Sequence, residues 1–185
     1  EIDPRERLAA SGDRERLRGI LVHRLLERLP GRPEAERAAA AERWLAVRAA
    51  DFTAEERAAI AGEVLGVLAT PDFAAIFGPG ARAEVPIVGR IADRRGETIE
   101  VSGRIDRLVI GDDEVRVIDF KSDRRPAAGA IPDAYVGQMA LYRRLIAPMF
   151  PDRRVRAFLL WTTVPALAEI PADRLDAAAE SLALS

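Results

Sequence analysis

The sequence predicts an α/β (α+β) layer structure, with a mixed central sheet flanked by helices and a helical subregion ahead of the sheet. Three observations carry that prediction. Apolar residues recur at helical spacing through the first third of the chain. After Gly78-Pro79-Gly80 the hydrophobic period changes from about 3.6 to about 2. Three strand-like segments then give way to helix, strand and helix, the order of a mixed-sheet layer fold. The 185 residues suit a single domain, and 49% apolar with 31% charged residues is globular rather than disordered composition.

Residues 13–29 carry Leu17, Ile20, Leu21, Leu25 and Leu29 on one helical face; Ser11 or Asp13 can cap the start and Pro30-Gly31 stops it. Residues 34–49, alanine-rich with Trp44, Leu45 and Val47, predict a second helix. Thr53 and Glu56 have the spacing of a capping box and open a third helix through Leu68. A short turn around 72–77 closes this half. Residues 83–92, 97–110 and 114–121 alternate and are rich in Val and Ile, as strands are. Hairpin turns fall at 93–96 and 111–114, and a polar loop at 122–132. Residues 133–147 read as a helix ending before Pro148, 155–163 as a strand buried on both faces, and 172–184 as a last helix. The expected organisation is one domain over 1–185: a helical subregion at 13–77, a sheet with its helix at 82–163, and a terminal helix at 172–184.

The composition excludes several classes of function. Without cysteine there is no disulfide, thiolate metal site or iron–sulfur cluster. No apolar run approaches the roughly 20 residues of a membrane span, and no signal-peptide pattern opens the chain. A net charge of −2 is not that of a uniformly basic nucleic-acid coat. Glu1 stands where a start methionine would be, so a fragment of a larger polypeptide is expected. Arginine fills all but one of the 28 basic positions; the exception is Lys121. Lysine is a compact point charge with a tunable pKa, which arginine is not.

The chemistry concentrates in the hairpin 101–121. A turn at 111–114 pairs Ile110 with Val115 and so sets Asp106 opposite Asp119, with Lys121 projecting to the same side two residues on. Facing acids repel. Either one takes up a proton or a hard divalent cation sits between them. A solvated strand end salt-bridged to Lys121 is the plain alternative for an isolated Asp-x-Lys. Gln138 and Tyr142, four apart, and Tyr135 make a polar-tipped stripe on the helix 133–147. His23, mid-helix, is either a packed structural residue or a neutral imidazole ligand.

Four motifs in this order resemble one family. They are Gly19-Ile-Leu-Val-His23-Arg-Leu-Leu-Glu27, Gly103-Arg-Ile-Asp106, Val117-Ile-Asp119-Phe-Lys121 and Gln138-Met-Ala-Leu-Tyr142. Together they resemble the RecB-type branch of the PD-(D/E)xK nucleases, and the arginine- and alanine-rich text looks most like the C-terminal nuclease domain of AddA-type helicase–nucleases. The resemblance covers about residues 19–163 and implies a restriction-endonuclease-like core. It implies His23, Asp106, Asp119 and the Phe120 carbonyl as ligands of Mg²⁺, with Mn²⁺ able to substitute. Lys121 would orient the attacking water, while Gln138 and Tyr142 would contact the DNA strand or orient Lys121. Glu84 falls where relatives often carry an acid.

The activity implied is metal-dependent exonucleolytic hydrolysis of DNA at double-strand break ends, in the bacterial cytoplasm at the nucleoid. The implied partners are single-stranded DNA, a nuclease partner of the AddB type and helicase domains upstream in the parent chain. AddB-type relatives carry cluster-binding cysteines, and this chain has none. No phosphate-binding Gly-x-x-x-x-Gly-Lys-Ser/Thr motif is present, so ATP hydrolysis is not expected here. Arg104, Arg107, Arg124, Arg125, Arg143 and Arg144 lie near the site in sequence and are candidate phosphate contacts. A catalytically silent docking module and a stand-alone RecB-like nuclease are the competing readings.

Overall fold

The computed structural model describes residues 4–92, 97–123 and 130–182. Three helices come first: α1 (Pro4–Arg28), α2 (Glu34–Arg48) and α3 (Ala54–Ala69). The capping box on α3 is present in full. Thr53 accepts from the Glu56 N–H, and the Glu56 carboxylate accepts from the Thr53 N–H. α1 begins well ahead of the expected start, so Ser11 and Asp13 lie inside it rather than capping it. Pro4 supplies the physical reason, since proline at the first helical position has the right φ and lacks only an N–H that would be unpaired there anyway.

A 3₁₀ turn, Pro71–Ile76, leads into the sheet. Strands β1 (Ala81–Ala92), β2 (Thr98–Ile110) and β3 (Glu114–Lys121) form an antiparallel meander. Helix α4 (Asp133–Ile146) then crosses to β4 (Arg154–Trp161), which pairs parallel with β3. A fifth strand, β5 (Ala166–Ile170), adds antiparallel to β4 and leads into α5 (Ala172–Leu182). The sheet order is β1-β2-β3-β4-β5, mixed as the sequence predicts. The sequence does not predict β5: Ala-Leu-Ala-Glu-Ile between two prolines is short and poor in β-branched residues. The turn expected at 93–96 lies outside the described residues.

Alternation along β3 and β4 sorts the interior into two cores. Ile118, Phe120, Phe158 and Leu160 pack with α1, α2 and α3. Val115, Val117, Leu159 and Trp161 pack with α4 and α5. The central strands are therefore buried on both faces, and their C-terminal ends emerge between α1 and α4. One polar link ties the helical half to those ends. Glu63 of α3, with its side chain only 5% exposed, pairs with Arg18 and accepts from the Thr162 hydroxyl at 2.5 Å. The Thr162 N–H in turn donates to the Lys121 carbonyl at 2.9 Å.

Candidate active site

The turn Gly111–Glu114 closes through the Gly111 N–H on the Glu114 carbonyl, and Ile110 pairs with Val115 as the sequence requires. The β2–β3 ladder keeps that register as far as Arg107 with Ile118. At the next step a side chain takes over from the backbone. The Phe120 N–H donates to Asp106 Oδ2 at 2.6 Å. Across β2, Glu84 of β1 has φ 52°, in the left-handed region that non-glycine residues rarely occupy. Alternation on β2 breaks here. Ile105 and Leu108 enter the α4 core, whereas the Arg107 guanidinium crosses to the α1 side and donates to the Leu26 carbonyl at 2.5 Å.

This irregularity divides the two aspartates between two helices instead of setting both on one face. Asp106 turns toward α1, where its Oδ1 lies 3.2 Å from His23 Nδ1. His23 is held from behind by an edge-on contact with Phe120, ring centres 5.7 Å apart. Glu84 completes the group: ligand atoms of His23, Glu84 and Asp106 all lie within 4.8 Å of one another. Glu84 itself is paired with Arg104 at 3.1 Å. The sequence ranks Glu84 below the other candidates; the strained backbone at that position brings it fully into the cluster.

Asp119 turns toward α4. Its Oδ2 lies 2.8 Å from Lys121 Nζ, and its Oδ1 accepts from Gln138 Nε2 at 3.1 Å. The Gln138 amide is a two-way connector. Its Oε1 accepts from Lys121 Nζ at 3.2 Å, and its Nε2 also donates to the Tyr142 hydroxyl at 3.1 Å. Tyr142 is buried over Gly103, where an added Cβ would come within 2.8 Å of the ring. Lys121 Nζ stands 3.9 Å from the centre of the Tyr135 ring, and the Tyr135 hydroxyl donates to Asp123 at 2.6 Å. The predicted stripe on α4 thus steers Lys121 from three sides.

Burial, reinforced by the charge of Asp106, pushes the Asp119 carboxyl up from 3.8 to about 6, against the pull of Lys121. At His23 burial opposes the charged imidazole. The bond to Asp106 and the charges of Asp106, Asp119 and Glu84 outweigh that burial and raise its pKa. Protons are thus drawn to a place crowded with acids. Imidazole and carboxylate donors converging there suit a divalent cation, which would relieve the same repulsion.

The candidate arginines separate. Arg107 is 4% exposed, lies over the Phe77 ring and serves the packing of α1 on β2, so it is no phosphate contact. Arg143 pairs with Asp176 of α5. Arg104 and Arg144 are exposed, and Arg124 and Arg125 lie outside the described residues.

A sheet whose strand ends present acids and one lysine, with an imidazole from a preceding helix, defines a class of phosphodiester-cleaving folds. The chain belongs to the PD-(D/E)XK nuclease superfamily, whose family model matches residues 3–181. It is also similar to the AddA polypeptide of the ATP-dependent helicase/nuclease from Lacticaseibacillus casei (strain BL23) and from Lacticaseibacillus paracasei (strain ATCC 334). Each is 27% identical over 83 residues, 45% of this chain and 7% of the relative. The chain therefore aligns with only a small part of those proteins. A solved structure described as SSO0001 covers 86% of this chain and is itself covered to 72%, at a TM-score of 0.40 and 20% identity.

Proposed function

We propose that the chain is a metal-dependent deoxyribonuclease domain that hydrolyses phosphodiester bonds of single-stranded DNA exonucleolytically. The observation that carries the reading is the junction of two groups at the strand ends: His23, Glu84 and Asp106 on one side, Asp119, Lys121 and Gln138 on the other. The donor set fits Mg²⁺, with Mn²⁺ able to substitute. His23, Asp106, Asp119 and the Phe120 carbonyl would hold it, and Glu84 joins them. When bound, such an ion lowers the pKa of a water and polarises a phosphoryl oxygen.

The chain's own residues do the rest. Lys121, held between Asp119 and Gln138, offers its ammonium protons to the attacking water and to the charge that develops on the phosphoryl oxygens. Gln138 positions Lys121 and Asp119 together, and Tyr142 fixes the Gln138 amide. Asp106 orients the His23 ring through Nδ1.

The similarity to the AddA helicase/nuclease polypeptides supports a place in a larger AddA-type enzyme that resects double-strand break ends for recombinational repair. Its motor would lie elsewhere in the parent chain, with an AddB-type partner cutting the other strand. The work would be done in the bacterial cytoplasm, at the nucleoid. No described helix is long and apolar enough to cross a membrane. The test is degradation of end-labelled single-stranded DNA with Mg²⁺ or Mn²⁺. Cleavage should vanish in EDTA and in Asp119→Ala; an Asp119→Ala protein that cuts at the wild-type rate refutes the assignment.

A further inference from the structure

A cavity of about 370 Å³ opens in front of the His23 cluster, and one stripe of α1 lines it: Arg16, Ile20, His23 and Arg24, facing Glu84 and Asp106. Residues 16, 20 and 24 are four apart and stack along one helical face. All three are exposed, and Ile20 is 48% exposed although apolar. Arg24 lies 4.0 Å from Glu84 Oε2, and Arg104 reaches the same oxygen from β2 at 3.1 Å. Two guanidinium groups therefore converge on one carboxylate oxygen at the edge of the ligand cluster. That is the charge and fork geometry a phosphate oxygen takes from arginine.

We infer that Arg16, Arg24 and Arg104 form the phosphate cradle of the site, with the substrate strand running along α1 and Ile20 meeting an unstacked base. The inference rests on the nuclease reading and adds the track by which the strand reaches it. Arg16 and Arg24 are separated by about 12 Å of helix, a span that neighbouring phosphates of an extended strand can bridge. Glu84 occupies Arg24 and Arg104 while no strand is present, and an arriving phosphate exchanges with that carboxylate. The track favours a single strand, because Ile20 gains contact only with a base face freed from its stack. The arginines nearest the motifs in sequence are mostly not those of the cradle: only Arg104 belongs to both sets.

The experiment measures binding of a fluorescein-labelled oligothymidylate to the 185-residue chain, with Ca²⁺ replacing Mg²⁺, across a salt series. Arg16→Gln/Arg24→Gln/Arg104→Gln should weaken binding at least tenfold at low salt. The slope of log K against log salt should flatten by about 0.7 per lost contact. The affinity for Mn²⁺ alone, read by calorimetry, should stay within about twofold in the same variant. Arg43→Gln/Arg48→Gln on α2 removes charge away from this cavity and should leave the slope unchanged.

An unchanged slope in the triple variant overturns the cradle, as does a wild type that binds no oligonucleotide. So does a loss of Mn²⁺ affinity with the slope intact, which would make the arginines mere supports for Glu84. Cleavage by wild type but not by Asp119→Ala, with an unchanged slope in the triple variant, would keep the nuclease and reject the cradle. A flattened slope on a chain that never cuts would do the reverse.

Discussion

Replacing Asp119 with asparagine should stabilise the metal-free protein at neutral pH. Asp119 is 5% exposed, and burial together with Asp106 raises its carboxyl from 3.8 to about 6. Between those values the native protein keeps a proton that the unfolded chain has released. Stability therefore falls as pH rises through that window and levels off above it. A gap of about 2 pK units corresponds to roughly 3 kcal/mol, with the attraction to Lys121 already included. Asparagine keeps the shape and one acceptor oxygen but cannot ionise.

At pH 7 in EDTA the variant should melt about 6–12 °C above wild type, given about 2–4 °C per kcal/mol for a chain of this size. The difference between the two melting curves should close as pH drops toward 4. His23, whose pKa is raised mainly through Asp106 against its burial, contributes stability that is lost as pH rises through its raised value, and both proteins share that decline. Saturating Mn²⁺ should raise the wild-type melting temperature at pH 7.5 and leave Asp119→Asn nearly unmoved. Differential scanning calorimetry across pH 4–8 reads all of this. An Asp119→Asn protein less stable than wild type at pH 7, or one whose difference from wild type does not vary with pH, would refute the reasoning.

Further outcomes follow from the packing. Gly103→Ala would set a Cβ 2.8 Å from the buried Tyr142 ring, and should cost about 1–3 kcal/mol in urea denaturation. Gly19→Ala meets only the Ser122 hydroxyl, which can rotate away, so its stability should change by less than about 1 kcal/mol. Gln138→Ala removes the connector between Lys121 and Asp119; kcat for single-stranded DNA should fall about 10–100-fold with KM little altered, and an unaltered kcat would deny Gln138 its positioning role. Glu63→Ala strips the Thr162 hydroxyl of its acceptor and Arg18 of its partner, at a cost of about 1–3 kcal/mol by thermal denaturation.

Local chemistry made much of this molecule legible. The α3 capping box and the turn at 111–114 are spelled out by adjacent residues, and the turn alone fixes the register that brings Asp106 and Asp119 to the same strand ends. The sole lysine and the sole glutamine meet in one hydrogen bond, 3.2 Å long. What escaped depends on long-range or irregular structure. Strict alternation puts Asp106 and Asp119 on one face, but the left-handed backbone at Glu84 and the side-chain bond to the Phe120 N–H turn Asp106 toward α1 instead. The same break in alternation buries Arg107, which charge alone would place in solvent. β5 carries too little β-branched character to announce itself beside β4. The Glu63–Thr162 link joins residues with no local pattern in common, and only the packing of α3 against the strand ends creates it.

The most direct measurement is an anomalous-difference map from crystals soaked in Mn²⁺. The account predicts a single strong peak within coordination distance of His23, Glu84 and Asp106, on the side that Asp119 borders, and its loss in an Asp106→Ala protein. A peak elsewhere, or none at saturating Mn²⁺, would contradict it.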